Sequence, residues 1–305
     1  MAGSFEILLW HVAVISRNLE LNLAIEHVRR MRGGSQPHLM RCDDGNYYVV
    51  KFQNNPQHKR ILTSEFLATR LAARLGVCVP RVEVVEVCPE LILYTSELVI
   101  QLPMGNMPCS AGKQCGSRFP GHPANLTVHD VMPNDLIHNV RNLSDFLGVF
   151  VFDKWTCNTD RRQVIFFREF GERVSDSGET MDRGRYQAMM IDQGACFNSE
   201  GWNFPDAPLR SIYECKSVYQ DVTGMASFEP WIERLEQAIT ESVLWDEALR
   251  IPSEWYDDDW PELESLLDRL YRRRVRIREL IDVARKSDRN PFPNWKTQVY
   301  AMGMA

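Results

Sequence analysis

Lys51, Asp160 and Asp192 are charged side chains set beside apolar runs, and their types suit phosphoryl transfer. That chemistry needs a cation for phosphate oxygens, a carboxylate that holds a divalent metal, and a second carboxylate that positions an incoming hydroxyl. Lys51 closes the run Tyr48-Val49-Val50-Lys51-Phe52, where strand alternation sets its ammonium on the face opposite Val50. An ammonium facing a buried side needs an anion. Glu65, on the next predicted helix, falls only about 20° round the wheel from Ala72, at the edge of the apolar arc. Spacing alone fits better a solvated strand-end lysine and a helix-surface glutamate; the carboxylates further along reverse that balance.

Asp160 lies in the polar stretch Asn158-Thr159-Asp160-Arg161-Arg162-Gln163, between an apolar helical run and the apolar residues 164–167. Polar loops between buried elements commonly hold function. Asp192 ends the apolar run 188–191 and precedes Gln193-Gly194, so a carboxylate stands at a strand end beside a residue that permits a sharp turn. Gly33-Gly34-Ser35 precedes the strand at Leu39, and side-chain-free residues there let backbone N–H groups approach a polyphosphate; taken alone, such a tripeptide is more often just a turn. Arg161 is the candidate for stabilising charge on a transferred group, with surface pairing as the alternative for it and for Arg162.

The elements that must position these residues follow from periodicity. Residues 39–42 and 47–52 read as strands joined by the turn Asp43-Asp44-Gly45-Asn46. Residues 60–75 read as a helix stopped by Gly76. Residues 82–87 and 91–100 read as a second antiparallel pair about Pro89-Glu90. Residues 102–127, rich in Pro, Gly, Ser and Cys, read as a long loop or connection. Helical spacing then returns over 143–155, 230–250 and 261–286. The expected fold is α+β and two-lobed: residues 1–101 form a small antiparallel sheet with one helix, and residues 102–305 form a larger, mainly α-helical lobe with the catalytic and metal-binding loops.

Gly33-Gly34-Ser35, Val50-Lys51-Phe52, Glu65, Asn158-Thr159-Asp160-Arg161 and Ile191-Asp192 together resemble the ordered landmarks of the HipA-like serine/threonine kinases, over roughly residues 25–200. The resemblance implies a protein-kinase-like fold using ATP and Mg²⁺. It implies Asp160 as catalytic base, Asp192 as metal ligand, Lys51 as nucleotide anchor paired with Glu65, and residues 33–35 as phosphate cover. Many relatives carry a metal-binding asparagine five residues after the base, where this chain has Ile165; Gln163 or Asn158 then supplies the amide. Residues 97–101 would lead out of the first lobe past an adenine ring. The acceptor is a hydroxyl, on a serine or threonine of a protein by family likeness or on a small molecule, and a non-turnover binding module is the third reading. A regulatory protein partner is left open.

The formal charge of −6 disfavours wholesale nucleic-acid binding. The apolar run 7–15 is interrupted by His11 and too short for a membrane span. The scattered cysteines read as reduced thiols in a cytoplasm. The basic cluster Arg272, Arg273, Arg274, Arg276 and Arg278 reads as answering the acids of residues 257–264 across a solvated helix.

Overall fold

The computed structural model describes residues 21–168 and 185–296; the apolar run 7–15 lies outside them. The fold is α+β. Its first strands are β1 (Asn22–Arg30), β2 (His38–Cys42) and β3 (Tyr47–Lys51), followed by helix α1 (Arg60–Arg74) and strand β4 (Val82–Val87). The β2–β3 turn forms at residues 43–46 because Gly45 takes φ +80° and Asp44 accepts hydrogen bonds from the Asn46 N–H at 2.9 Å and the Tyr48 hydroxyl at 2.7 Å. Alternation along β3 sends Tyr48 and Val50 into an apolar cluster with Met40, Cys42, Val85 and Val87, which leaves Lys51 for the other face.

After β4 the chain departs from the strand expected over 91–100. Pro89–Tyr94 is a short helix, α2, with Pro89 in its first turn and Glu90 favourably placed at its N-terminus. The strand shrinks to β5 (Val99–Leu102), and its partner is β6 (Gly105–Pro108), not β4. β4 pairs instead with β7 (Gly112–Arg118), inside the stretch expected to be a loop. Gly, Lys, Gln and Ser are weak strand formers, so β7 carries no local signal; pairing on both edges, with β3 and β4, makes it a strand. Its composition has tertiary reasons. A Cβ on Gly116 would stand 2.5 Å from Val85. Gln114 is fully buried because its amide serves three backbone groups, accepting from Gln53 N at 2.8 Å and donating to Ser110 O and Ala111 O at 2.9 and 3.0 Å. The barrel closes in the order β1-β2-β3-β7-β4, so the strand that leads out of it is β7 rather than residues 97–101.

The rest of the described chain is mainly helical around a three-stranded sheet of β8 (Val128–His129), β9 (Gln163–Phe167) and β10 (Gln187–Ile191). Helix α3 (Asp145–Thr156) runs through the core, with Trp155 donating to Leu270 O at 2.8 Å. The helix expected over 230–250 is two, α4 (Glu229–Ala238) and α5 (Glu241–Ala248), because the Thr240 side chain caps the second by accepting from Val243 N at 3.3 Å. The helix expected over 261–286 is likewise α6 (Trp260–Arg273) and α7 (Ile277–Lys286), joined by a 3₁₀ turn. The basic cluster there meets Asp268, Asp206, Glu279, Glu229 and Glu236 rather than the acids of residues 257–264. Helix α1 ties the barrel to this half: Phe66 and Leu71 share one apolar cluster with Phe150, Trp155 and Leu266, and Arg70 and Arg74 both pair with the buried Glu247.

Candidate active site

Lys51 stands at the end of β3, where its face meets α1 and the turn after β10. Its Nζ donates to Glu65 Oε2 at 2.8 Å and to Asp192 Oδ1 at 2.7 Å. Burial works against the ammonium, yet Asp192 and then Glu65 overcome it and hold the lysine protonated well above its ordinary range. The same charge is the main reason the Asp192 carboxyl is held below its usual range, helped by Arg162 and by the amide of Gln163. Gln163 Nε2 donates to Asp192 Oδ2 at 2.6 Å, so each carboxylate oxygen has a partner. Asp192 takes a left-handed backbone, φ +59°, unusual for a residue with a Cβ. Two features sustain that turn. Arg162 Nη1 donates to the carbonyl of Ile191 at 3.0 Å. Gly194 lets the turn press on α1, since a Cβ there would lie 2.7 Å from Ile61 and 3.5 Å from both Glu65 Oε2 and Lys51 Nζ.

Asp160 is held differently. Helix α3 ends at Cys157, whose φ of +51° turns the chain into the polar loop. Asn158 is buried, donating to Asp153 Oδ1 at 3.0 Å and accepting from the Asp160 N–H at 3.1 Å. Its amide therefore helps to shape the loop. The core of the loop is a fully buried ion pair: the Arg162 guanidinium grips both oxygens of Asp153, with Nε to Oδ2 at 2.9 Å. Thr159 N donates to Ala195 O at 3.2 Å, stitching this loop to the Asp192 turn. Asp160 itself is exposed, and its Oδ1 accepts from the Arg161 N–H at 2.7 Å. Arg161 is 84% exposed at its side chain and pairs with Glu214 at 2.9 Å, a surface pair rather than a buried catalytic contact.

Of the residues singled out from sequence, the fold therefore brings Lys51, Glu65, Asp192 and Gln163 into one bonded group. Asp160 joins through the loop framework. Gly33, Gly34 and Ser35 fall between β1 and β2, and their contacts run elsewhere: a Cβ on Gly34 would meet Gln57 at 3.1 Å, and the following Gln36 bonds to the Gln101 backbone. Asp153 and Arg162 were not picked out as a structural pair. The signal was present, because an aspartate inside Phe146-Leu147-Gly148-Val149-Phe150-Val151-Phe152-Asp153 lies in an almost wholly apolar helix and has to be paired.

Gln163 and Ile165 lie on one face of β9, two residues apart, and Ile165 pairs across to Met189. Where β7 leaves the barrel a cavity of about 320 Å³ opens, lined by Tyr47, Arg118, Phe119, His122 and Met189 among others. For a magnesium ion the protein would offer Asp192, joined by the Oε1 of Gln163 once that amide, whose Nε2 now faces Asp192, turns over. That donor set fits an ion that keeps several waters and takes further oxygens from phosphates.

No curated protein matches the chain. Among solved structures it is similar to a Helicobacter pylori proinflammatory kinase, CtkA, at 13% identity over 82% of this chain and 96% of that one, TM-score 0.46. It is also similar to the Golgi casein kinase, at 14% identity over 93% and 80%, TM-score 0.48. Likenesses this remote carry nothing about activity. A family model described as HipA-like kinase matches residues 24–278, a span that contains every site residue from Gly33 to Asp192. The chain belongs to the HipA-like kinase family, and its chemistry is that of a kinase-type phosphotransferase.

Proposed function

We propose that this kinase transfers the γ-phosphoryl group of ATP to a serine or threonine hydroxyl of a protein, with Mg²⁺. The observation that carries the reading is the Lys51 ammonium held between Glu65 and Asp192 at 2.8 and 2.7 Å, with Gln163 on the second oxygen of Asp192. A phosphate-reading cation and a metal-binding carboxylate are thus already assembled, which lowers the reorganisation needed when nucleotide arrives. In this reading two lobes meet over the nucleotide. The first runs through Arg118 rather than ending at residue 101, because β7 returns to the barrel. The base meets backbone beyond Arg118, and residues 33–35 cover the phosphates.

Lys51 orients the phosphate oxygens, and Asp192 with the Gln163 amide oxygen would hold Mg²⁺, which would neutralise phosphate charge when bound. The Asp160 carboxylate accepts the proton of the acceptor hydroxyl as its oxygen bonds to the γ-phosphorus and the bond to ADP breaks. Exposure of Asp160 and Arg161 leaves the base open to a bulky acceptor, which supports a protein over a small molecule. One observation favours a second reading, nucleotide binding without turnover: Gln163 turns its NH₂ toward Asp192, and Ile165 offers no metal ligand. Incubation with γ-labelled ATP and Mg²⁺, beside Asp160→Asn and Asp192→Asn, tests both. Label on protein serine or threonine, lost in both variants, is the expected result. Label only on added metabolites favours a small-molecule kinase, and tight ATP binding with no transfer favours the second reading.

A further inference from the structure

Helix α1 presents Glu65 to Lys51 on one face and is bonded from the other by the helical half of the chain. Arg70 and Arg74, four residues apart, share a face of α1, and at about 100° per residue they stand roughly 140° and 180° round the axis from Glu65. Both reach the carboxylate of Glu247 on α5. Arg70 Nε donates to Oε2, and Arg74 donates to Oε1 from Nε at 3.0 Å and from Nη2 at 2.7 Å. Arg250 adds a third guanidinium, 3.8 Å from Oε2. Glu247 is only 1% exposed at its side chain and lies in the last turn of α5. Burial and the negative end of the helix dipole both oppose a carboxylate there. Burial would raise its pKa, yet Arg70 and then Arg74 hold the carboxyl below its ordinary range.

No hydrogen bond or ion pair joins Glu247 to Lys51, Glu65 or Asp192 among the described residues, so any effect on the site runs through α1. Other ties reach the first half of that helix. Trp202 Nε1 donates to Ser64 Oγ at 3.3 Å, and the Phe66 ring packs edge-on against Trp255 at 5.7 Å. Lys59 and Arg60 pair with Asp257 and Asp259, whose side chains are exposed, so these pairs contribute little. Glu247 is the buried ionic hold on the second half. Apolar contacts are non-directional, whereas a carboxylate bonded to two guanidiniums fixes how far a helix is turned. The tolerance is small: a turn of about 20° carries a side-chain end about 5–6 Å from the axis through about 2 Å. That is enough to break the 2.8 Å bond between Glu65 and Lys51.

We propose that Glu247 is a positioning residue for the nucleotide site: by holding Arg70 and Arg74 it fixes the rotation of α1 and so keeps Glu65 on Lys51. Without that hold α1 turns, Glu65 leaves the lysine, and Lys51 is drawn to Asp192 alone. The ammonium is then no longer placed between two carboxylates to meet phosphate oxygens. The inference deepens the kinase reading and rests on it only for the role of Lys51 toward phosphate.

The test uses the full chain, with Glu247→Gln made alone and in the Glu65→Gln background, and Lys51→Met as a control. Two quantities are measured: amide hydrogen exchange of α1 without nucleotide, and the affinity for ATP with Mg²⁺. In Glu247→Gln, exchange over residues 61–66 is expected to quicken while α3 exchanges as before. ATP binding is expected to weaken about tenfold or more. In the Glu65→Gln background the same substitution is expected to cost no further ATP affinity, because the contact it serves is already gone. A merely structural Glu247 would cost the same in both backgrounds, and that additive result overturns the proposal. So does unchanged exchange over residues 61–66, or unchanged ATP affinity in Glu247→Gln while Lys51→Met loses it. Arg74→Gln, at a half-exposed side chain, gives the same readouts from the other partner should Glu247→Gln fail to fold. If Lys51→Met leaves ATP affinity intact while Glu247→Gln still quickens exchange over residues 61–66, the hold on Glu65 stands and the nucleotide role of Lys51 fails.

Discussion

The two carboxylates of the site are fixed by opposite means. Asp192 is gripped through its own side chain, by Lys51 on one oxygen and Gln163 on the other, on a left-handed backbone braced by Arg162. Asp160 is exposed and receives only a backbone N–H from Arg161, while the loop beneath it is locked by the buried Asp153–Arg162 pair and Asn158. The difference follows from the work proposed for each. A metal-binding carboxylate gains from staying ionised and still, which neighbouring charge secures. A base has to meet a proton brought by another molecule, so its surroundings are rigid while its oxygen stays free.

Substitutions that strike one arrangement and spare the other sharpen this contrast. Asp160→Asn is expected to lower phosphoryl transfer by about 10²–10⁴-fold with ATP affinity and urea midpoint unchanged; a large fall in either would show that Asp160 is structural. Asp153→Asn leaves Arg162 charged, buried and unpaired, and is expected to cost about 3–5 kcal/mol of stability in urea unfolding. Asp153→Leu combined with Arg162→Met is expected to restore much of that stability without restoring transfer, because an apolar pair fills the space but cannot hold the Ile191 carbonyl. Gln163→Leu, which removes a partner of Asp192 without touching the Asp160 loop, is expected to raise the Mg²⁺ concentration needed for nucleotide binding about 10–100-fold. An unchanged Mg²⁺ titration would remove Gln163 from the metal site.

The smallest effect concerns pH. Lys154, next to Asp153 on α3, is buried, and that burial lowers its pKa from 10.5 to about 8 despite the neighbouring aspartate. In the unfolded chain the lysine keeps its proton to higher pH, so its contribution to stability rises from pH 8 to 10.5 and is at its least favourable, and constant, below that window. Lys154→Met is expected to flatten this rise in pH-dependent unfolding. Asp192 runs with the usual carboxylate sign: its folded pKa is depressed, so the stability it contributes is present above the ordinary carboxylate range and is lost as pH falls through the lowered value. In Lys51→Met the folded Asp192 pKa rises toward the unfolded value, and that acid-side loss is expected to shrink.

Much of the site was legible because each residue sits against strong local punctuation. Lys51 closes a β-rich run, Glu65 lies on the apolar edge of a well-marked helix, and Asp192 ends an apolar run beside a glycine; all three are where alternation and turn chemistry put them. Gln163 was named as a substitute amide oxygen for the metal, and its Nε2 donates to Asp192. Asn158 was named beside it and bonds to Asp153 and the Asp160 backbone, contacts that spacing does not reveal. Residues 91–100 misled because Leu91, Ile92 and Leu93 are as acceptable in a helix as in a strand, and Pro89 in a first turn decides for the helix.

The sequence by itself determined the local elements with strong patterns: the β2–β3 hairpin, helix α1, the helix and the strand that flank the polar loop, and the order in which lysine, glutamate and two aspartates occur. Tertiary structure alone decided that residues 112–118 are a barrel strand, since Gly116 and Gln114 are chosen by a neighbouring valine and by three backbone groups rather than by strand propensity. It alone decided that Arg162 serves Asp153 and Ile191 while Arg161 meets solvent, because adjacent residues with equal charge differ only in which side of the chain the core lies. Local pattern reflects interactions within a few residues. The burial of an ion pair, or the second edge of a strand, depends on partners that only the folded chain brings near.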